Sequence, residues 1–300
     1  MITSGGSKFS RWSYPWPITW ALYVFRQHHT QINSLLWSHH SGSRRAASIA
    51  HSVGLMNPAI KAFPAAVSDP GRQAKSLDEW LSLYKEFDNW TRLSACLSIC
   101  SYFETYLHGI VSLSILSDPG AFLGRPHSVD GIYYIKSGID FPLDMKKLSQ
   151  TITKGTWDER ILGFERLFGS CPDLMRKNVA ELDQMRILRN KVGHRFGRSL
   201  EDLNEDPLAA LDESERLSAA RIKKWLAIVE MVAVATDKQL RDKHIGSFEP
   251  LRRCGRAKAD VYSKVLLSKR ISSYFPATHG YQLNKKYCAD LVDYYDKLKA

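Results

Sequence analysis

The chain has 300 residues, 44% hydrophobic and 24% charged, a balance that argues against disorder and predicts a soluble globular protein of one large domain or two modest ones. Its five cysteines, Cys96, Cys100, Cys171, Cys254 and Cys288, are odd in number and scattered without zinc-ligand spacing, which argues against a disulfide framework and a structural metal and for a reducing compartment. The net charge of +11 sits at the two ends: residues 1–75 carry 8 Lys/Arg against 1 acid, 76–240 carry 21 against 24, and 241–300 carry 13 against 6. A near-neutral middle with basic flanks suits a polyanion, because neutralised phosphates release counterions. A solvated basic surface accounts for the same charge.

In chain order, the apolar run 16–25 is broken by Arg26 and Gln27, well short of the roughly 20 residues a membrane span needs. No small-residue cleavage site follows it, so neither a membrane anchor nor a signal peptide is expected and the protein reads as cytoplasmic. His29, His40 and His51 recur every eleven residues, which puts them on one helical face but about 16 Å apart, too far to share an ion. Trp12, Trp16, Trp20 and Trp37 fit a core better than a base-stacking platform. Asp69-Pro70-Gly71 is a strong break, and residues 1–75 form a basic, aromatic-rich N-terminal extension.

Ser76 with Glu79 makes a capping box that starts a helix at Leu77, with a pause expected near Asp88 and Asn89, a longer helix over about 91–116, and a stop at Asp118-Pro119-Gly120. The only strand-like stretch, 132–135, is too short to matter. Thr156 with Glu159 opens a helix that runs to Phe168, and Pro172 opens another from Asp173 to about Phe196. After the acidic loop 201–206, a long helix is expected over about 213–244, closed by Gly246. Residues 251–258 read as a basic loop, followed by two further helices. The fold class is therefore all-α: an antiparallel bundle of four to five helices over 76–246, with N- and C-terminal helical extensions, the latter over 247–300.

Near the end of the third bundle helix stands Arg189-Asn190-Lys191-Val192-Gly193-His194, with Phe196 beyond it. This segment resembles the motif of HEPN-domain ribonucleases, helical bundles that carry Arg, a polar residue, and then His on a late helix. The resemblance covers roughly 77–245. Arg45 and His51 have the same spacing, but Ala46 follows that arginine and the pair lies outside the bundle.

Cleaving RNA without a metal needs a base for the 2′-hydroxyl proton and a cation for charge building on the phosphate. An imidazole titrating near ~6.5 can be the base, which gives the role to His194. Arg189, always charged and able to offer two parallel donors, suits the phosphate. The resemblance implies that Asn190 orients substrate or histidine, that the products are a 2′,3′-cyclic phosphate and a 5′-hydroxyl, that no cofactor or metal takes part, and that the setting is a toxin or antiviral defence system with an antitoxin or regulatory protein as further partner.

Residues five apart on a helix are turned by about 140° and separated by ~7.5 Å, so Arg189 and His194 splay on one copy. Two copies paired about a two-fold axis bring both sets into one groove, which predicts a homodimer with Gly193 bending the helix end inward. Glu104, at the edge of an apolar stripe, is expected either to orient Arg189 or to be an exposed helix-edge acid. Lys191, Arg195, Arg252 and Arg253 are candidate RNA contacts, as is the Lys285-Lys286 pair. The competing account pairs Arg189 with Asp183 or Glu104 and leaves His194 as a helix C-terminal residue favoured by the macrodipole. At the level of function, the alternative is a non-catalytic helical module that binds RNA or a partner protein and dimerises. A metal-dependent hydrolase is disfavoured because no carboxylate and histidine ligand set is visible.

Overall fold

The computed structural model describes residues 9–64, 73–141, 144–195, 215–258, 267, 269 and 283–298. Among them the chain is all-α, with no strand. The Asp69-Pro70-Gly71 break, Phe196 and the acidic loop 201–206 lie outside the described residues.

Helix α1 spans Trp20–Val53, 34 residues without an Asp or Glu. Prolines are confined to its flanks, with Pro15 and Pro17 before it and Pro58 and Pro64 behind it, so nothing interrupts the backbone ladder. Thr19 caps it through the Leu22 N–H at 3.2 Å. The positive end of the helix collects its carboxylates from far along the chain: Asp237 accepts the Thr19 N–H at 3.3 Å and Glu249 the Trp20 N–H at 3.4 Å.

Helix α2 spans Leu77–Ser117. Ser76 Oγ accepts the Glu79 N–H at 3.2 Å, and Glu79 reaches back to the Lys75 N–H at 2.8 Å. The expected pause at Asp88 and Asn89 is absent, because neither side chain competes for its own backbone. Asp88 accepts from His39 Nε2 at 2.7 Å and Ser43 Oγ at 2.6 Å, both on α1. Asn89 donates to the Glu215 carbonyl and accepts the Leu217 N–H, each at 2.9 Å. The helix stops where expected, at Asp118-Pro119.

Short helices follow: α3 (Pro119–Phe122), α4 (Ile132–Ser137, over the strand-like stretch), α5 (Met145–Thr153) and α6 (Trp157–Phe168). The Thr156 and Glu159 capping box at the start of α6 is complete. The single helix expected after Pro172 is divided into α7 (Asp173–Lys177) and α8 (Val179–Arg195) by Asn178, whose side chain donates to the Leu174 carbonyl at 2.7 Å and so ends the first turn. Helix α9 (Ala219–Leu240) runs into a π-helical turn, Arg241–Ile245, and ends at Gly246. The expected basic loop 251–258 is instead helix α10 (Phe248–Lys258), because Phe248, Leu251 and Cys254 recur at helical spacing and are fully buried. Helix α11 spans Lys285–Lys297.

The chain forms two compact units, each assembled from separated stretches: 1–26, 103–179 and 230–300 in the first, 27–102 and 180–229 in the second. In the first, Phe25, Phe103, Tyr106, Trp157 and Phe164 form an aromatic core. Arg11, buried, holds it together at one point: it pairs with both oxygens of Asp130 (2.9 and 2.8 Å) and donates to the Ser117 and Ile245 carbonyls. Helix α10 packs on α4 and α11, and Lys136 of α4 caps the end of α11 through the Tyr295 and Asp296 carbonyls. In the second unit, Leu182, Met185, Leu188 and Val192 of α8 are buried, as are Leu93, Cys96 and Ile99 of α2 and Ile222, Trp225 and Leu226 of α9. One described helix, Leu77–Ser117, is long and apolar enough to cross a membrane by length and composition, and half of its most apolar window is buried in the fold.

Candidate functional site

The buried stripe of α8 fixes where the motif lies. With Leu188 and Val192 facing inward, Arg189 and Asn190 fall on the half-exposed margin and Lys191 is exposed. Arg189 Nη1 donates to Asn190 Oδ1 at 3.0 Å, so the asparagine of the motif engages the arginine directly. Helical structure continues past Gly193 to Arg195, which keeps Arg189 and His194 on one uninterrupted helix. Gly193 lies against α2, where a Cβ would meet Leu97 at 3.7 Å. The side chains of His194 and Arg195 lie outside the described residues.

Around the motif, polar contacts pin α8 to its neighbours in the second unit. Lys191 Nζ pairs with Glu215 at 2.5 Å. Gln184 accepts from Arg221 at 2.8 Å, and Glu181 accepts from Trp225 Nε1 at 2.8 Å and from Lys224. The Lys224 and Trp225 hydrogen bonds hold the Glu181 carboxyl below its ordinary value of 4.5. Asp183 accepts from Arg186 Nε at 2.7 Å, one turn along the same helix.

Glu104 belongs to the first unit and is bound by Arg160 Nη2 at 3.1 Å. Arg160 is 3% exposed, lies over the Trp157 ring at 4.8 Å and donates to the Gly155 carbonyl, so Glu104 is the counter-ion of a buried cation. The sequence offered Thr156, Glu159 and the apolar run of α6, but nothing that marked Arg160 as buried. Arg252 and Arg253 are half-buried on α10, while Lys285 and Lys286 are exposed at the start of α11.

His29 is buried and bonded to the Tyr102 hydroxyl at 3.0 Å, and among the described residues no three His, Cys, Asp or Glu side chains come together to hold a metal ion. Trp16 is core, Trp12 stacks on His127, Trp20 stacks on Tyr23, and Trp37 lines a cleft.

That cleft, of about 350 Å³, lies within the second unit between α1, α2 and the start of α9, and is lined by Leu36, Trp37, His39, His40, Asp88, Arg92, Ala219 and Ile222. Sequence reasoning missed it. Its polar members run from Trp37 to Arg92 on two helices, and only the His39-His40 pair hinted at a site.

No protein-family profile, curated protein or solved structure matches the chain. The class that fold and site define is thus an all-α protein with an Arg-Asn-x3-His segment on the solvent-facing margin of a helix.

Proposed function

We propose that the chain is a metal-independent endoribonuclease of the HEPN type, working as a homodimer in the cytoplasm in a toxin or antiviral defence role. The observation that carries this reading is the pairing of Arg189 with Asn190 on the half-exposed margin of α8, on the same uninterrupted helix as His194. The Asn190 oxygen orients an always-charged guanidinium, whose planar fork matches the geometry of a phosphate.

In this mechanism His194 removes the 2′-hydroxyl proton, the 2′-oxygen forms a bond to the adjacent phosphorus, and the bond from phosphorus to the 5′-oxygen breaks. The leaving oxygen takes a proton from a protonated His194 of the second copy. The products are a 2′,3′-cyclic phosphate and a 5′-hydroxyl. Arg189 stabilises the charge on the non-bridging oxygens as it builds. Lys191, Arg195, Arg252 and Arg253 add phosphate contacts along the strand, and an antitoxin or regulatory protein is the further partner.

The test compares the wild type with His194→Ala on RNA, with chelator present, and identifies the product ends. Chelator-resistant cleavage to cyclic phosphate ends, lost in the variant, is the expected result; no cleavage by the wild type would overturn the reading.

A second reading, a non-catalytic interaction module, is favoured by one feature. Leu83, Phe87 and Trp90 of α2 form a row at helical spacing and are 58%, 48% and 48% exposed, an apolar strip suited to a partner helix.

A further inference from the structure

The cleft between α1, α2 and the start of α9 has a composition that a core gap lacks. Its floor is apolar, with Leu36 and Ile222. Its rim holds an indole, two imidazoles and a guanidinium: Trp37, His39, His40 and Arg92. Trp37 and His40 meet edge to face at 5.6 Å, and Trp37 Nε1 is tied to Asn33 at 2.7 Å, which fixes the indole plane. Arg92 uses Nε on the Leu217 carbonyl at 2.5 Å, and among the described residues its two Nη groups carry no hydrogen bond. The one acid, Asp88, is occupied at both oxygens by His39 and Ser43, so it steadies an imidazole rather than opposing an anion. Helix α1 brings Arg44 and Arg45 on the following turn and no acid anywhere.

We propose that this cleft binds a nucleotide, with the base against Trp37 and His40 and the phosphate on the free edge of Arg92. An aromatic wall accepts any base face, and a guanidinium with both terminal nitrogens available grips phosphate oxygens in pairs. The cleft also touches the proposed catalytic segment through one short stretch of chain. Residues 215–217 are held by Lys191 of α8 at Glu215 and by Asn89 and Arg92 of α2 at Glu215 and Leu217. The two grips are about 7 Å of backbone apart. A nucleotide of a bound RNA strand and a free mononucleotide share the chemistry this site recognises.

Calorimetric titration of the full-length chain separates these sources. The probes are adenosine, adenosine monophosphate, and a six-nucleotide 2′-O-methyl oligoribonucleotide that lacks the 2′-hydroxyl. The monophosphate or the oligonucleotide binds, and adenosine binds more weakly than the monophosphate. Trp37→Ala weakens binding about tenfold. Arg92→Gln does the same for phosphorylated probes and leaves adenosine unchanged. Binding of the oligonucleotide alone assigns the cleft to an RNA strand; equal binding of the monophosphate assigns it to a free nucleotide. His194→Ala keeps the binding, so loss of cleavage and loss of the cleft are told apart. Arg92 also anchors Leu217, so Trp37→Ala and His40→Ala, which break no described interhelical hydrogen bond, guard against misfolding as the cause. No binding of any probe, or binding that survives all three cleft substitutions, overturns the proposal.

Discussion

At the residue scale, Glu104 illustrates how a partner changes a role. If it serves as the counter-ion of Arg160, Glu104→Gln removes charge from a buried pair and lowers stability by about 2 kcal/mol, read by denaturant unfolding, while RNA cleavage per folded molecule stays at the wild-type level. Cleavage that falls with stability unchanged would instead assign it to the arginine of the motif. Arg11→Ala takes from Asp130 its buried cationic partner in the first unit and costs about 3–5 kcal/mol by the same measurement. Asp237 and Glu249 make a pH prediction. Burial pushes the Asp237 carboxyl from 3.8 to about 6 and that of Glu249 from 4.5 to about 7, against the lowering effect of their hydrogen bonds to Thr19, Tyr14 and Trp20. A carboxyl raised on folding binds more protons in the folded state, so this pair favours folding fully below about pH 4, and that contribution is lost as pH rises through 6 and 7. Thermal unfolding at pH 5.5 and 8 checks it: Glu249→Gln flattens the difference, and an unchanged slope contradicts the account.

At the element scale, α2 shows what local signals carry and what they lack. Its start at Ser76 and its stop at Asp118-Pro119 follow from capping and proline chemistry within a few residues. Its continuity through Asp88 and Asn89 depends on α1 and residues 215–217, partners about 45 and 127 positions away that no local window contains. Asp88→Ala is therefore expected to cost about 1–2 kcal/mol through the loss of two buried-side hydrogen bonds, without ending the helix, as circular dichroism would show. The turn before α4 is equally non-local. Gly131 donates to the Ser117 carbonyl at 3.0 Å, and a Cβ there would sit 1.5 Å from the Leu116 oxygen, so Gly131→Ala costs about 3 kcal/mol. The motif on α8 was legible from residue type and spacing. The cleft was not, because Trp37, Asp88 and Arg92 converge only once α1 and α2 pair.

At the scale of the whole molecule, an Arg and a His five residues apart on one uninterrupted helix point away from each other by about 140°. The proposed dimer would unite them in a shared groove, and RNA affinity would then fall with salt, by about 0.7 in log K per log unit for each phosphate contact on a single strand. Replacing both Arg252 and Arg253 with Gln lowers that slope by two contacts' worth, about 1.4, if both meet the strand. The most direct measurement of the shared groove mixes two inactive proteins, Arg189→Ala and His194→Ala, after unfolding and refolding together, and follows RNA cleavage with chelator present. Mixed dimers place one intact arginine opposite one intact histidine, and cleavage that neither protein has alone returns. A mixture as inactive as its components, beside a wild type that cleaves, contradicts the shared groove.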